Sequence, residues 1–230
     1  MQMKNKFLYL ILIIIIPVIL FQGCMEFQRN IKLNKDGSGS EELTFHIEKV
    51  FFDSLIEFIA SLDSTRITTF RDSLYNDEYF TSDIRKDSKD VQGISDLVIN
   101  SATNEDSSKT IFVGYNFDNV MSLNDPIGTS NSRNNSNYNY SVVWDETDEQ
   151  INFRYTIIPA ADEEDGGNTL SKGFDNFLNG KFATFKIEFP YEIISSNATE
   201  TNGNTLTWKI SMDEFSKLKE PYVIDVVMEK

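Results

Sequence analysis

The chain contains very little of the two residue types most used for metal binding and nucleophilic catalysis. Its 230 residues include one cysteine, Cys24, and one histidine, His46. A single cysteine excludes a disulfide bond within the chain. Without a second histidine or cysteine, zinc sites and Cys–His or Ser–His nucleophile pairs are nearly excluded. Stability must therefore come from packing, and 18 Phe and 9 Tyr supply much of the apolar area.

Positive charge is also scarce, with 21 basic residues against 36 acidic ones and a net charge of −15. A surface of this sign repels nucleic acid and anionic lipid headgroups, so we expect neither as a partner. The glycine-rich phosphate-binding motifs and the nucleophile-elbow motif are absent. Of two acidic clusters, 145–149 and 162–165, the second superficially resembles a calcium loop but lacks its ligand spacing. We therefore predict no enzyme activity, cofactor or metal site, and keep a hydrolase that uses carboxylates alone as an alternative.

A single long apolar run, residues 7–21, stands near the start of the chain. At 15 residues it is shorter than the ~20 that a membrane-spanning helix needs. Lys4 and Lys6 precede it, and Gly23 follows it. A positive start, a short apolar core and a small residue are typical of an export signal that is removed. An uncleaved membrane anchor and an ordinary secreted protein are the two alternatives.

The Gly23–Cys24 pair resembles the lipobox of bacterial lipoproteins. The resemblance implies lipidation of Cys24 and signal cleavage between Gly23 and Cys24. Residues 1–23 are then a signal peptide, and residues 24–230 are one mature domain with a net charge of about −17. Acyl chains contribute about 0.8 kcal/mol per buried methylene, which is enough for stable anchoring to a membrane. We expect a lipid-anchored protein of the bacterial cell envelope that faces the periplasm or the exterior, on either the outer or the plasma membrane.

The mature part alternates apolar and polar residues at the period of a β-strand over about nine segments. The first two form a hairpin around the turn at 36–39, with Arg29 on the apolar face near the edge. Asn202-Gly203, the strongest short hairpin signal, is expected to pair segment 193–198 with segment 206–210. Because most of the turns are short, we predict antiparallel pairing.

The period changes to that of a helix after the first hairpin. An amphipathic helix of about 14 residues is expected, and its apolar face includes Phe51, Phe52, Leu55, Ile56 and Ile59. Asp63 or Ser64 could cap a second helix, 169–180 could hold a third, and the charged stretch 81–90 reads as a loop. The predicted fold class is α+β, a single domain of mostly antiparallel sheet covered by two or three helices.

Short motifs at both ends of the mature domain resemble one family. After Cys24 come Arg29-x-Ile31-x-Leu33, then Asp36-Gly37-Ser38-Gly39 and Leu43-x-Phe45; later come Phe189-Pro190, Ser196-Asn197 and 203–208, reading GNTLTW. Together they look like bacterial lipoproteins with an LppM-like domain. The resemblance implies an antiparallel β-rich domain with helix cover, sometimes proposed to bind lipid-like ligands, and it brings no catalytic residues.

These observations favour a non-enzymatic envelope lipoprotein that acts as a binding or interaction module. One alternative is binding of a lipid or other apolar ligand in a pocket between the sheet and the first helix, where Phe51, Phe52, Leu55, Ile56 and Ile59 would face the ligand. Another is a structural or assembly lipoprotein that docks a second envelope protein. The expected partners are the membrane, through the lipid, and either an envelope protein or an apolar ligand.

Overall fold

The computed structural model describes residues 25–88, 91–124, 127, 138–160, 178 and 180–230. Eleven strands lie in these residues, two more than the nine expected from the alternation. They are β1 (Met25–Leu33), β2 (Gly39–Ile47), β3 (Ile94–Thr103), β4 (Lys109–Phe117), β5 (Tyr138–Glu146), β6 (Gln150–Pro159), β7 (Phe182–Glu188), β8 (Ile193–Ser196), β9 (Glu200–Asn202), β10 (Thr205–Ser211) and β11 (Tyr222–Glu229).

Seven of these strands form one sheet in the order β3-β4-β2-β1-β7-β10-β9. The β1–β2 hairpin is tight because Gly37 adopts a positive φ of 81° in its turn. β1 also pairs with β7, and this pairing is parallel, an exception to the antiparallel pattern. The first strand of the domain therefore lies in the middle of the larger sheet.

The other four strands form a second sheet in the order β5-β6-β11-β8. The main apolar core combines inward-facing residues of both sheets, including Phe185 and Trp208 from the larger sheet and Phe153 and Ile224 from the smaller one. The alternation predicted these inward faces because each strand presents every second residue to one side. The expected α+β class with mostly antiparallel sheet is confirmed.

Four α-helices complete the described part of the chain: α1 (Lys49–Leu62), α2 (Ile67–Tyr75), α3 (Asp77–Asp87) and α4 (Met212–Ser216). The predicted 14-residue helix is confirmed as α1. Asp63 caps a short 3-10 turn (Ser64–Arg66) that leads into α2. The loop predicted at 81–90 is wrong up to residue 87, since α3 covers it. Asn76 caps α3 by accepting a hydrogen bond from the Glu78 N–H at 2.9 Å.

The hairpin predicted for 193–210 is half correct. β9 pairs with β10 across Asn202-Gly203, where Gly203 has a φ of 59°. Segment 193–196 instead becomes β8 and pairs with β11 in the other sheet. The chain passes from one sheet to the other at Asn197, whose side chain bonds to both: its Oδ1 accepts from Trp208 Nε1 at 2.8 Å, and its Nδ2 donates to the Val223 carbonyl at 2.7 Å.

Candidate functional site

The sheet–helix interface predicted to hold a ligand is formed by α1 and the ends of β2 and β4. Phe52 and Ile56 of α1 are buried in a second, smaller cluster whose other buried members are Ile47, Leu74 and Ile111. These five side chains fill the centre of the interface.

Three of the predicted ligand-facing residues lie outside that centre. Phe51 and Leu55 are half-buried and pack against the margin of the smaller cluster, and Ile59 is half-buried one turn further along α1. Val50 and Leu62, at the two ends of the helix, are exposed. The helix therefore carries an apolar band wider than the stripe it buries.

A polar cluster inside the main core was not predicted as a site. It consists of Arg29 on β1, Glu41 on β2, Tyr115 on β4, and Tyr140 and Tyr155 on the second sheet. The expectation that Arg29 lies near an edge is wrong, because β1 is a central strand and Arg29 is 1% exposed. Glu41, on the inward face of β2, is 0% exposed.

The cluster joins the two sheets through charge-assisted contacts. The Arg29 guanidinium forms an ion pair with the Glu41 carboxylate and donates a hydrogen bond to the Tyr155 hydroxyl. Tyr115 donates its hydroxyl hydrogen to the same carboxylate. The guanidinium carbon also lies 4.8 Å from the ring centre of Tyr155 and 5.8 Å from that of Tyr140, within cation–π range.

Burial and the ion pair determine the protonation states of the cluster. Burial alone would lower the pKa of Arg29, but the Glu41 carboxylate raises it, and it ends above its ordinary value. Burial raises the pKa of Tyr115, and the neighbouring Glu41 carboxylate raises it further. Burial likewise raises the pKa of Tyr155. The guanidinium stays charged and both phenols stay neutral throughout the ordinary pH range, so the cluster fixes the two sheets against each other.

A second set of ion pairs lies at the end of the sheet where β1 begins. Met25 pairs with Ile47, the last residue of β2, and α1 starts two residues later at Lys49. The buried Lys181 places its Nζ 3.0 Å from a Glu26 carboxylate oxygen and 3.3 Å from one of Glu48. We call this the β1-start end of the domain.

The other positions considered from the sequence are dispersed. Gly23, Cys24, the acidic cluster 162–165 and most of 169–180 lie outside the described residues. The 145–149 cluster spans the end of β5 and the β5–β6 turn. Glu146, the last residue of β5, accepts from Lys230 at 2.6 Å, and this bond lowers the pKa of Glu146. His46 is half-buried, with its Nδ1 3.3 Å from the Thr110 hydroxyl.

The described residues also contain an open groove. The groove, about 600 Å³, runs between β8 and the β9–β10 turn and is lined mainly by polar groups, among them Glu192, Ser195 and Asn204.

No group of three or more His, Cys, Asp or Glu side chains in the described ranges is arranged to hold a metal ion. Of the helices in those ranges, none is both long and apolar enough to cross a bilayer.

Comparisons with known proteins give little beyond this geometry. No protein-family model matches the chain, and no curated protein matches it. Among solved structures, the chain is similar to the NMR structure of the folded domain of LppM from Mycobacterium tuberculosis. The two are 12% identical, the similarity covers 91% of this chain and 92% of that one, and the TM-score is 0.41. Neither membership of a family nor a function follows from a similarity of this size.

Proposed function

We propose that this chain is a non-enzymatic lipoprotein of the bacterial cell envelope, anchored by lipid at Cys24 and acting as an interaction module. The observation that carries the proposal is the apolar band of α1 at the β1-start end. Phe51, Leu55 and Ile59 are only partly buried, and Leu62 is 68% exposed. An apolar helix surface that the domain itself leaves partly uncovered is typical of a binding surface.

Docking of a second envelope protein is the first form of this function. Leu62 is exposed at the end of α1, and the helical repeat puts it on the same side of the helix as the partly buried Phe51 and Leu55. A partner helix or strand that lies along this side of α1 would cover all three.

Binding of a lipid or other apolar ligand is the second form. The observation in its favour is that Phe51 and Leu55 line the margin of the sheet–helix interface without being fully covered. A ligand that entered here would pack against the edge of the filled centre.

Two measurements test the proposal. Radiolabelled palmitate should enter the wild-type chain in its bacterial host, and the Cys24→Ala variant should leave the membrane fraction; a wild-type chain without label contradicts the anchor.

Native mass spectrometry of protein purified from the host separates the two forms. A co-purified lipid that is lost in Leu55→Asn but kept in Leu62→Asn supports the ligand form. A mass without ligand, with a partner cross-linked through position 62, supports docking.

A further inference from the structure

The β1-start end of the domain has no spacer between it and the lipidated residue. Met25, the residue that follows Cys24, is already the first residue of β1. A strand advances about 3.3 Å per residue, so this end of the sheet must lie within a few ångströms of an acyl-bearing Cys24. Side chains at this end are therefore held in the headgroup region of the bilayer to which the proposed anchor attaches them.

The strand register identifies which residues share that end. Phe27 of β1 is level with Ala183 of β7, which puts Phe182 level with Glu26, two residues from the lipidated position. On the other side of β1, Ile47 ends β2 opposite Met25, and Val50 follows in the first turn of α1. Phe182 and Val50 thus flank the point of attachment.

Both residues present apolar surface to their surroundings. Val50 is 46% exposed and Phe182 is 47% exposed. A phenylalanine left half in water forgoes much of the free energy that its burial would give. An interfacial position in a bilayer would recover it.

Lysine side chains offset part of the negative charge at this end. The whole chain is strongly acidic, but both Glu26 and Glu48 are bonded to Lys181, the residue before Phe182. Lys49, which begins α1 beside Val50, forms an ion pair with Asp53. The negative charge that would repel a headgroup surface is thus partly offset at this end.

We propose that Val50 and Phe182 insert into the membrane interface and form a second contact with the bilayer beside the lipid at Cys24. The inference rests on the proposed anchor. With one flexible acyl attachment alone, the domain would tilt freely; two apolar side chains on either side of it define the orientation of the sheet relative to the bilayer. The α1 surface is then presented at a fixed height above the membrane.

The test uses the full lipidated chain, purified from bacterial membranes and reconstituted into vesicles of phosphatidylethanolamine and phosphatidylglycerol. Acylation blocks the thiol of Cys24, which is the only native cysteine, so each added cysteine is the sole free thiol. The variants are Val50→Cys and Phe182→Cys, labelled with an environment-sensitive fluorophore. Val143→Cys is the matched control, because Val143 is 48% exposed on the second sheet, and Asp36→Cys marks the far turn of the β1–β2 hairpin.

Brominated lipids should quench the labels at positions 50 and 182 several-fold more than those at 143 and 36. Equal quenching at all four positions overturns the inference. Labels at 50 and 182 that are shielded from water but not quenched by the lipid also overturn it, since a protein then covers them. Reaction of the wild-type chain with the thiol reagent would instead disprove the anchor, whatever the depth of the labels.

Discussion

Arg29 and Glu41 face each other diagonally across the β1–β2 hairpin, where the register pairs Arg29 with Leu43 and Ile31 with Glu41. Both side chains point into the core between the sheets and form an ion pair there. Each therefore depends on the other to offset the cost of its burial.

Removal of one partner should be strongly destabilising. Arg29→Met leaves a buried carboxylate whose remaining described contact is the Tyr115 hydroxyl, and we expect a loss of about 3–5 kcal/mol in the free energy of unfolding. Urea denaturation followed by tryptophan fluorescence measures this loss.

The double variant Arg29→Met/Glu41→Leu is the decisive control for that prediction. It should be more stable than either single variant, since apolar replacement of a whole buried pair is often neutral. If the double variant lost as much free energy of unfolding as the two single variants lose together, the interpretation would be contradicted. The exposed Lys209–Glu200 pair, at 2.7 Å, offers a comparison, because Lys209→Met should cost at most about 1 kcal/mol.

Alkaline pH should destabilise the domain through Tyr115 and Tyr155. Their pKa values are raised above the ordinary 10.0 in the folded state, so the unfolded chain loses these phenolic protons first. The folded state then holds more protons, and the free energy of unfolding falls as pH rises above about 10, by up to ~1.4 kcal/mol per pH unit for each tyrosine. Denaturation at a series of pH values between neutrality and strong alkali measures the slope.

Tyr155→Phe tests the assignment of that slope. The variant should flatten the alkaline decline, because it removes one of the two buried phenols whose pKa is raised. An identical slope in wild type and Tyr155→Phe would show that other groups cause the alkaline loss.

The two apolar surfaces of α1 should respond differently to truncation. Phe52 is buried between α1, α2 and the sheet, so Phe52→Ala should cost about 3–5 kcal/mol. Leu62→Ala, at the exposed end of the same helix, should change the free energy of unfolding by less than ~0.5 kcal/mol. A large loss of stability in Leu62→Ala would mean that this residue belongs to the core rather than to a binding surface.

Asn197 should stabilise the passage of the chain between the two sheets. Besides its bonds to Trp208 and Val223, its Oδ1 accepts from the Asp225 N–H at 3.0 Å. Asn197→Ala leaves the buried Trp208 N–H unpaired, and we expect a cost of about 1–3 kcal/mol in thermal or urea unfolding. In a Trp208→Phe background the cost should shrink, whereas Ser195→Ala, on exposed β8, should have little effect in either background.

Local pattern predicted the elements of this fold better than their arrangement. The β1–β2 and β5–β6 hairpins and α1 follow from alternation, turn residues and helical spacing, all of which act over a few neighbouring residues. The parallel pairing of β1 with β7 and the position of β8 in the second sheet depend on distant parts of the chain, and no local pattern indicates them. Period-2 alternation indicates which face is buried but not which strand lies alongside.

Two features that the sequence analysis did not predict, α3 and the buried Arg29–Glu41 pair, are indicated by residue patterns other than apolar periodicity. α3 has few apolar residues, so apolar spacing does not reveal it. Its ends nonetheless carry residues typical of helix termini: Asn76 caps its start, and Arg85 and Lys86 lie in its last turn. Arg29 and Glu41 are opposite charges on the inward faces of one hairpin, two positions out of register with each other. Two opposite charges on faces that are otherwise apolar are better explained by a buried ion pair than by two positions at the edge of the sheet.

The central place of β1 bears on the proposed export of the chain. Glu26 and Lys181, which bond at the start of β1, are 155 residues apart along the chain. If the chain is exported as proposed, β1 reaches the far side of the membrane long before β7 can pair with it. Until then the hairpin would keep one unpaired strand edge beside the proposed site of acylation. We expect the lipid to be attached to a chain whose larger sheet is still incomplete, with the last contacts at the anchor forming after most of the domain has crossed.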